Sequence, residues 1–229
     1  MNLPGINPVL TSLEGCQIQI IGAMNAAIHH PAWYHLVKLI TKDEYDVAMR
    51  VRPAVGPLFS SFLFRDGEIR CQPQSWTIST AQTKDLSPIV NMAAELFDNL
   101  LPHTPIQAYS IAFFFHAGVQ PGLEPRQWLL ASLDKAGVGF AGQPGGAVHF
   151  SYDFGDAHQQ SSVLVEPSNR EGKRIFLRFQ TTYTIRPRTD ENGRIIFEGF
   201  NIKSPLTEHA NTTQDAAWKQ LNRTLDAMK

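Results

Sequence analysis

Two histidines and two aspartates in the second half of the chain are the residues whose types best suit chemistry. His149 and Asp153 share the polar side of a predicted strand, and Asp156 and His158 follow in the turn after it. Imidazole and carboxylate groups at this spacing could hold a divalent metal or exchange protons. The spacing matches no recognised metal motif, and a polar strand face that ends in a turn needs the same residue types. A metal-dependent, hydrolase-like enzyme is therefore the second alternative function.

A predicted strand over residues 174–186 carries arginines on the side away from its apolar residues. Its odd-numbered positions form an apolar face, whereas its even-numbered positions carry mainly arginine, glutamine and threonine. Guanidinium groups beside hydroxyls can bind phosphates, so the first alternative function is binding of nucleic acid or another polyanion. An ordinary solvated sheet face would show the same pattern. The candidate binding residues are Arg174, Arg178, Arg186 and Arg188.

Two further patterns resemble functional motifs but fit structural roles better. Residues 137–142 match G-x-G-x-x-G, but a helix is predicted before them and a strand after them, the reverse of what a dinucleotide site needs. His29, His30 and His35 surround a helix start at Pro31. His30 and His35 lie about 140° apart around a helix, too far for two ligands of one metal. We interpret the first as a helix end and loop, the second as a polar capping turn, and we predict no cofactor.

The composition indicates a folded globular protein. The chain has 229 residues, a formal net charge of -1 and 43% hydrophobic residues, enough for a large core. No apolar run approaches the roughly 20 residues needed to span a bilayer, and the N-terminus does not resemble a secretory signal. Cys16 and Cys71 lie in apolar, strand-like contexts typical of buried free thiols. We therefore expect a soluble, cytoplasmic protein that does not bind membranes.

Hydrophobic periodicity predicts alternating groups of strands and helices. Residues 106–116 are almost wholly apolar, which is typical of a strand that is covered on both faces. The other predicted strands are 17–24, 58–64, 69–72, 76–80, 148–154, 162–166, 174–186 and 194–202. Helices are predicted from Pro31, from Asp85 or Ser87, near 126–135, and from Thr212 or Thr213 to the end.

These elements predict an α+β fold of antiparallel sheets with amphipathic helices packed on one face. Both halves run through strands and then an amphipathic helix, which suggests two similar lobes. The predicted division is an N-terminal α+β lobe at 1–136, a glycine-rich hinge or loop at 137–146, and a strand-rich lobe with a final helix at 147–229.

The absence of local catalytic motifs favours a non-catalytic structural or interaction protein. The chain has neither a G-x-S-x-G elbow nor a phosphate-binding loop with its lysine, although catalytic triads also assemble from distant residues. We therefore expect a subunit of a larger assembly, with a protein partner or another copy of the chain as its binding partner. Nucleic acid is the alternative partner.

Overall fold

The computed structural model describes residues 7–65, 67–119, 124–135, 147–153, 158–169, 174–186, 188–189, 191–192, 195–196 and 201–227. Its main feature is one nine-stranded sheet in the order β2-β3-β4-β5-β1-β6-β9-β8-β7, in which every neighbouring pair is antiparallel. The predicted α+β fold is confirmed. No helix among these residues is both long enough and apolar enough to cross a bilayer.

The strands of the large sheet differ widely in length, and the two longest lie side by side at its centre. They are β1 (Asn7–Gly22), β2 (Ala54–Val55), β3 (Ser60–Phe64), β4 (Gly67–Gln72), β5 (Ser75–Thr80), β6 (Ile106–Gly118), β7 (Val148–Asp153), β8 (Gln159–Pro167) and β9 (Arg174–Thr184). A separate two-stranded sheet consists of β10 (Arg188–Thr189) and β11 (Ile195–Ile196).

Among the described residues, five α-helices accompany the strands. They are α1 (Pro31–Leu36), α2 (Lys42–Arg50), α3 (Ser87–Ala94), α4 (Pro125–Lys135) and α5 (Lys203–Ala227). A short 3₁₀ helix at Ala26–Ile28 precedes α1, and α3 continues as π-helical turns over Glu95–Leu100.

Successive side chains of a strand point to opposite faces, and in the large sheet the apolar ones share one face. The helices cover that face. Tyr34 of α1 packs edge-on against Phe62, and Phe97 of the π-helical turns packs against Trp76. From α5, Trp218 packs against Phe115 at a ring-centroid distance of 4.9 Å. The prediction that amphipathic helices pack on one face of an antiparallel sheet is therefore confirmed.

Each half of the chain folds around its own long first strand. In the first half, β5 ends the β2–β5 meander and pairs with β1; in the second, β9 ends the β7–β9 meander and pairs with β6. Antiparallel pairing of β1 with β6 then joins the halves into one sheet. The topology is thus repeated, while the division into lobes at 1–136 and 147–229 stays a prediction.

Strand β6 is buried on both sides, as its apolar sequence predicts, although helices cover only one side. Ala112 and Ser110 face away from the helices, yet each is only 1% exposed. Ala112 lies between Gln17 of β1 and Gln180 of β9 in the strand register. Longer side chains from both neighbouring strands therefore shield the small residues of β6 from water.

Two predicted strands and the final helix differ most from those observed, and helix α2 was missed. Strand β1 begins ten residues before the predicted start, and α2 was not predicted although Thr41 and Glu44 form its capping box. The prediction of a strand up to residue 202 is wrong at its end, because Asn201 and Ile202 are not in a strand. The final helix begins at Lys203 rather than near Thr212.

The early start of α5 depends on a residue that is distant in sequence. The carboxylate of Asp98 accepts hydrogen bonds from the backbone N–H groups of Ile202 at 2.8 Å and Lys203 at 3.1 Å. These groups have no partner within the helix, so a carboxylate there stabilises the first turn. The cap also ties α5 to the chain segment that follows α3.

Replacing Asp98 with alanine should destabilise the protein by about 1 kcal/mol, as loss of a helix cap generally does. Urea denaturation at pH 7 would measure the change. The control is Asp215→Ala in the exposed part of α5, which should change the free energy of unfolding by less than about 0.5 kcal/mol. Equal effects of the two substitutions would show that the cap is unimportant.

Candidate functional site

The helix-free side of the large sheet, here called the open face, carries mainly polar side chains. Its members alternate with the core residues along five neighbouring strands, β4, β5, β1, β6 and β9. They include Gln17, Gln19, Glu68, Arg70, Gln72, Ser75, Thr77, Ser79, Phe114, His116, Arg174, Phe176, Arg178 and Gln180. Amides, hydroxyls, both signs of charge and two phenyl rings are thus available to a ligand.

Three hollows on the open face meet at Phe114. The first, about 370 Å³, lies over β1, β4 and β5 and is lined mostly by polar side chains. The second, about 320 Å³, extends towards β8 and includes His116, Ser168 and Phe176. The third, about 350 Å³, opens towards the turn between β3 and β4. Phe114 stacks on Phe176 with ring centroids 5.9 Å apart, so an apolar pair stands at the centre of a polar surface.

Most described charges on the open face are paired with an opposite charge. Nη2 of Arg70 lies 2.7 Å from Oε2 of Glu68, and Nη1 of Arg174 lies 3.5 Å from Oε1 of Glu14. Burial raises the pKa of Glu68, but hydrogen bonds from Arg70 and Ser61 lower it more, so the carboxylate is ionised at neutral pH. The buried Nε of Arg178 has no hydrogen-bond partner among the described residues.

The four arginines predicted to bind a polyanion do not form one continuous row. Arg174 and Arg178 lie on the open face, where Arg178 stands opposite Phe114 in the register of β6 and β9. Arg186 is exposed beyond the end of β9, and Arg188 lies in β10, outside the large sheet. Whether these residues bind anything stays a prediction.

A cluster that sequence reasoning missed lies at one end of the open face. Glu14 accepts a hydrogen bond from Ser12 at 2.8 Å, and its Oε2 lies 2.7 Å from Nδ1 of His116. On the other side of the ring, Nε2 of His116 is 3.1 Å from the hydroxyl of Ser168. The Nδ1 contact is short but lacks the alignment of a hydrogen bond, and it is an ion pair only when the imidazole is protonated.

The carboxylate of this cluster is held in its ionised form. Burial raises the pKa of Glu14, but the contacts with His116 and Ser12 and the nearby charge of Arg174 lower it more, and the net pKa is below the usual value. Little in the sequence indicated the cluster, because its residues come from β1, β6 and the segment just after β8.

The residues predicted to bind a metal are only partly described. His149 is exposed in β7, Asp153 pairs with Gln160 at the other end of that strand, and His158 is in the turn before β8. Asp156 and the glycine-rich segment 137–146 lie outside the described residues. Within the described part of the chain, no group of three or more His, Cys, Asp or Glu side chains could hold a metal ion.

The N-terminal histidine cluster has the structural role that the sequence suggested. Nδ1 of His30 accepts a hydrogen bond from the backbone N–H of Ala32 at 2.9 Å and caps α1. Nδ1 of His29 lies 2.7 Å from the hydroxyl of Tyr34, which in turn accepts a hydrogen bond from the indole of Trp76 at 2.8 Å. Because the indole is the donor there, the hydroxyl hydrogen can be donated to a neutral His29.

Both cysteines are free and buried, as predicted. Burial raises the pKa of the Cys71 thiol to about 12, and it also raises the pKa of Cys16. Neither residue therefore supplies a thiolate at neutral pH.

Comparison with known proteins adds no functional assignment. No protein-family model matches the chain, and no curated protein matches it. The function proposed below rests on the residues of the chain itself.

Lowering the pH from 7 to 4 should reduce the stability of the fold through His29. Burial lowers the pKa of His29 from 6.5 to about 4. Between these values the unfolded chain binds a proton that the folded chain does not, so the stabilisation present above pH 6.5 is lost towards pH 4. The full effect is about 3 kcal/mol.

Urea denaturation at several pH values would measure this loss in the wild type and in His29→Gln. The variant should show a flatter dependence between pH 6.5 and 4, even if it is less stable at every pH. His103→Gln in an exposed turn is the control and should retain the wild-type dependence. An unchanged slope in His29→Gln would show that His29 does not cause the loss.

Proposed function

We propose that this protein is an interaction protein, a subunit of a larger assembly, that binds a partner polypeptide through its open face. The observation that supports the proposal best is the meeting of three hollows at Phe114 on a sheet face that the described helices leave uncovered. Recognition surfaces commonly combine a few aromatic anchors with a polar surround. Phe114 and Phe176 supply such an anchor here.

The mixture of charges favours a polypeptide over a nucleic acid. A surface that binds phosphates gains most of its affinity from unopposed cations. On the open face, Glu68 and Glu14 accompany Arg70 and Arg174, and Glu166 lines the second hollow. Carboxylates in these places would repel a polyanion but could pair with basic groups of a polypeptide.

The partner segment is expected to carry an apolar side chain next to a carboxylate. The apolar side chain would contact the Phe114 ring, and the carboxylate would pair with the partly exposed Arg178, which stands opposite Phe114 in the strand register. A charge-assisted hydrogen bond between a guanidinium and a carboxylate is stronger than a neutral one.

The cytoplasm is the proposed location. Cys16 and Cys71 are free thiols, and thiols persist in the reducing conditions of that compartment.

A photo-crosslinking amino acid at position 114 should capture a discrete partner from an extract of the native cells. The same amino acid at Lys219, exposed on the helix-covered side, is the matched control and should capture it several-fold less. With the captured partner in hand, Arg178→Ala should weaken binding by about 1.5–3 kcal/mol, the usual contribution of a hydrogen bond to a charged group. Equal capture at positions 114 and 219 would contradict docking on the open face.

Polyanion binding remains the second candidate, favoured by the unpartnered Nε of Arg178. Because Arg70 and Arg174 are already paired with carboxylates, we expect the wild-type protein to elute from immobilised heparin at low salt. Strong retention that falls steeply with salt, and that is lost in Arg178→Ala/Arg186→Ala, would instead favour the polyanion.

A further inference from the structure

The Ser168, His116 and Glu14 cluster has the order of groups that a serine nucleophile needs. A hydroxyl lies on one ring nitrogen of an imidazole at 3.1 Å, and a carboxylate lies on the other at 2.7 Å. We propose that this cluster is an acylation site for a carboxylic ester with a small apolar acyl group. Ser168 is the nucleophile, His116 the general base and Glu14 a positioning residue.

A β-bulge in β1 brings the carboxylate to this side of the sheet. Leu13 pairs with Phe115 and Gly15 pairs with Phe114, so Glu14 is an extra residue with no partner in β6. Beyond the bulge, even-numbered residues such as Cys16 face the core. The bulge reverses this parity and places Glu14 on the open face, beside His116. Bulges often re-aim a side chain in this way next to active sites.

Surrounding contacts hold the three groups in place. His116 is 5% exposed and packs against the ring of Phe176 at a centroid distance of 5.4 Å. The backbone N–H of Ser168 donates to the carbonyl of Arg174 at 2.9 Å, which fixes the segment after β8 against β9. The 2.7 Å contact at Nδ1 is not aligned as a hydrogen bond, so the Glu14 carboxylate acts on the ring through its charge.

The second hollow gives the acyl group a place to bind. Its volume of about 320 Å³ easily accommodates a small acyl group, and Phe114 and Phe176 form its apolar wall. Ser168 lines the same hollow and is partly exposed, so an ester carbonyl can approach its hydroxyl.

The proposed reaction uses water as its second substrate. The Ser168 oxygen forms a bond to the ester carbonyl carbon while its proton passes to Nε2 of His116. The bond between this carbon and the alcohol oxygen then breaks, and the alcohol leaves with that proton. Water then gives a proton to Nε2 while its oxygen bonds to the acyl carbon. The bond from this carbon to the serine oxygen breaks, the serine takes the proton back, and the carboxylic acid leaves.

A fluorophosphonate probe tests the nucleophile directly, because its phosphorus bonds to an activated serine oxygen as fluoride leaves. Intact mass and peptide mapping should show one adduct, at Ser168. Ser168→Ala should remain unlabelled, whereas Ser162→Ala, within β8 itself, should label like the wild type. His116→Gln should slow labelling by about a hundredfold or more, as loss of a general base does.

The pH dependence of labelling tests the role of Glu14. Glu14→Gln removes the charge that favours a protonated imidazole, so the pH at which labelling is half-maximal should fall while the melting temperature changes little. If His116→Gln does not fold, Glu14→Gln still tests whether the carboxylate acts on the nucleophile through His116. A wild-type protein without an adduct at Ser168, or an unchanged pH profile in Glu14→Gln, would overturn the proposal. Ser168→Ala should still crosslink from position 114, so failure here is distinguishable from failure of the docking proposal.

Discussion

The antiparallel pairing of β1 with β6 is the interaction on which the rest of this structure depends. These strands have 16 and 13 residues, and each is the edge against which one half of the chain builds its meander. Without this pair, two long central strands would each expose a row of backbone groups and the core side chains beside it, at a cost comparable with the stability of a whole domain.

A sheet built outward from this pair has helices on one face and must protect the other face by different means. Small residues in β6, such as Ala112, lie beneath longer neighbours, such as Gln17 and Gln180. Phe114 is too large for this arrangement and stays partly exposed beside Phe176. The same constraint therefore explains both the polar character of the open face and the apolar pair near its centre, on which the proposed docking depends.

Local patterns in the sequence predicted what local physics determines. The alternation in residues 174–186 correctly separated a core face from an arginine-bearing face, and Asp85 and Pro88 marked the start of α3. The start of α5 could not be predicted in this way, because its cap is Asp98, more than 100 residues earlier. The ion-pair partners of Arg174 and the contacts of His116 were equally hidden, since they depend on which strands become neighbours.

The bulge at Glu14 shows how closely the central pair and the candidate chemistry are linked. A β1 strand of uniform alternation would direct Glu14 into the core, where an unpaired carboxylate is very costly. The extra residue instead sends Leu13 to the core and Glu14 to the open face, where Ser12, His116 and Arg174 stabilise its charge. Gly15 suits this position, because a Cβ atom there would lie in tight contact, 3.0 Å, with the carbonyl oxygen of Thr80. The site and the seam between the two halves are therefore formed by the same strand pairing.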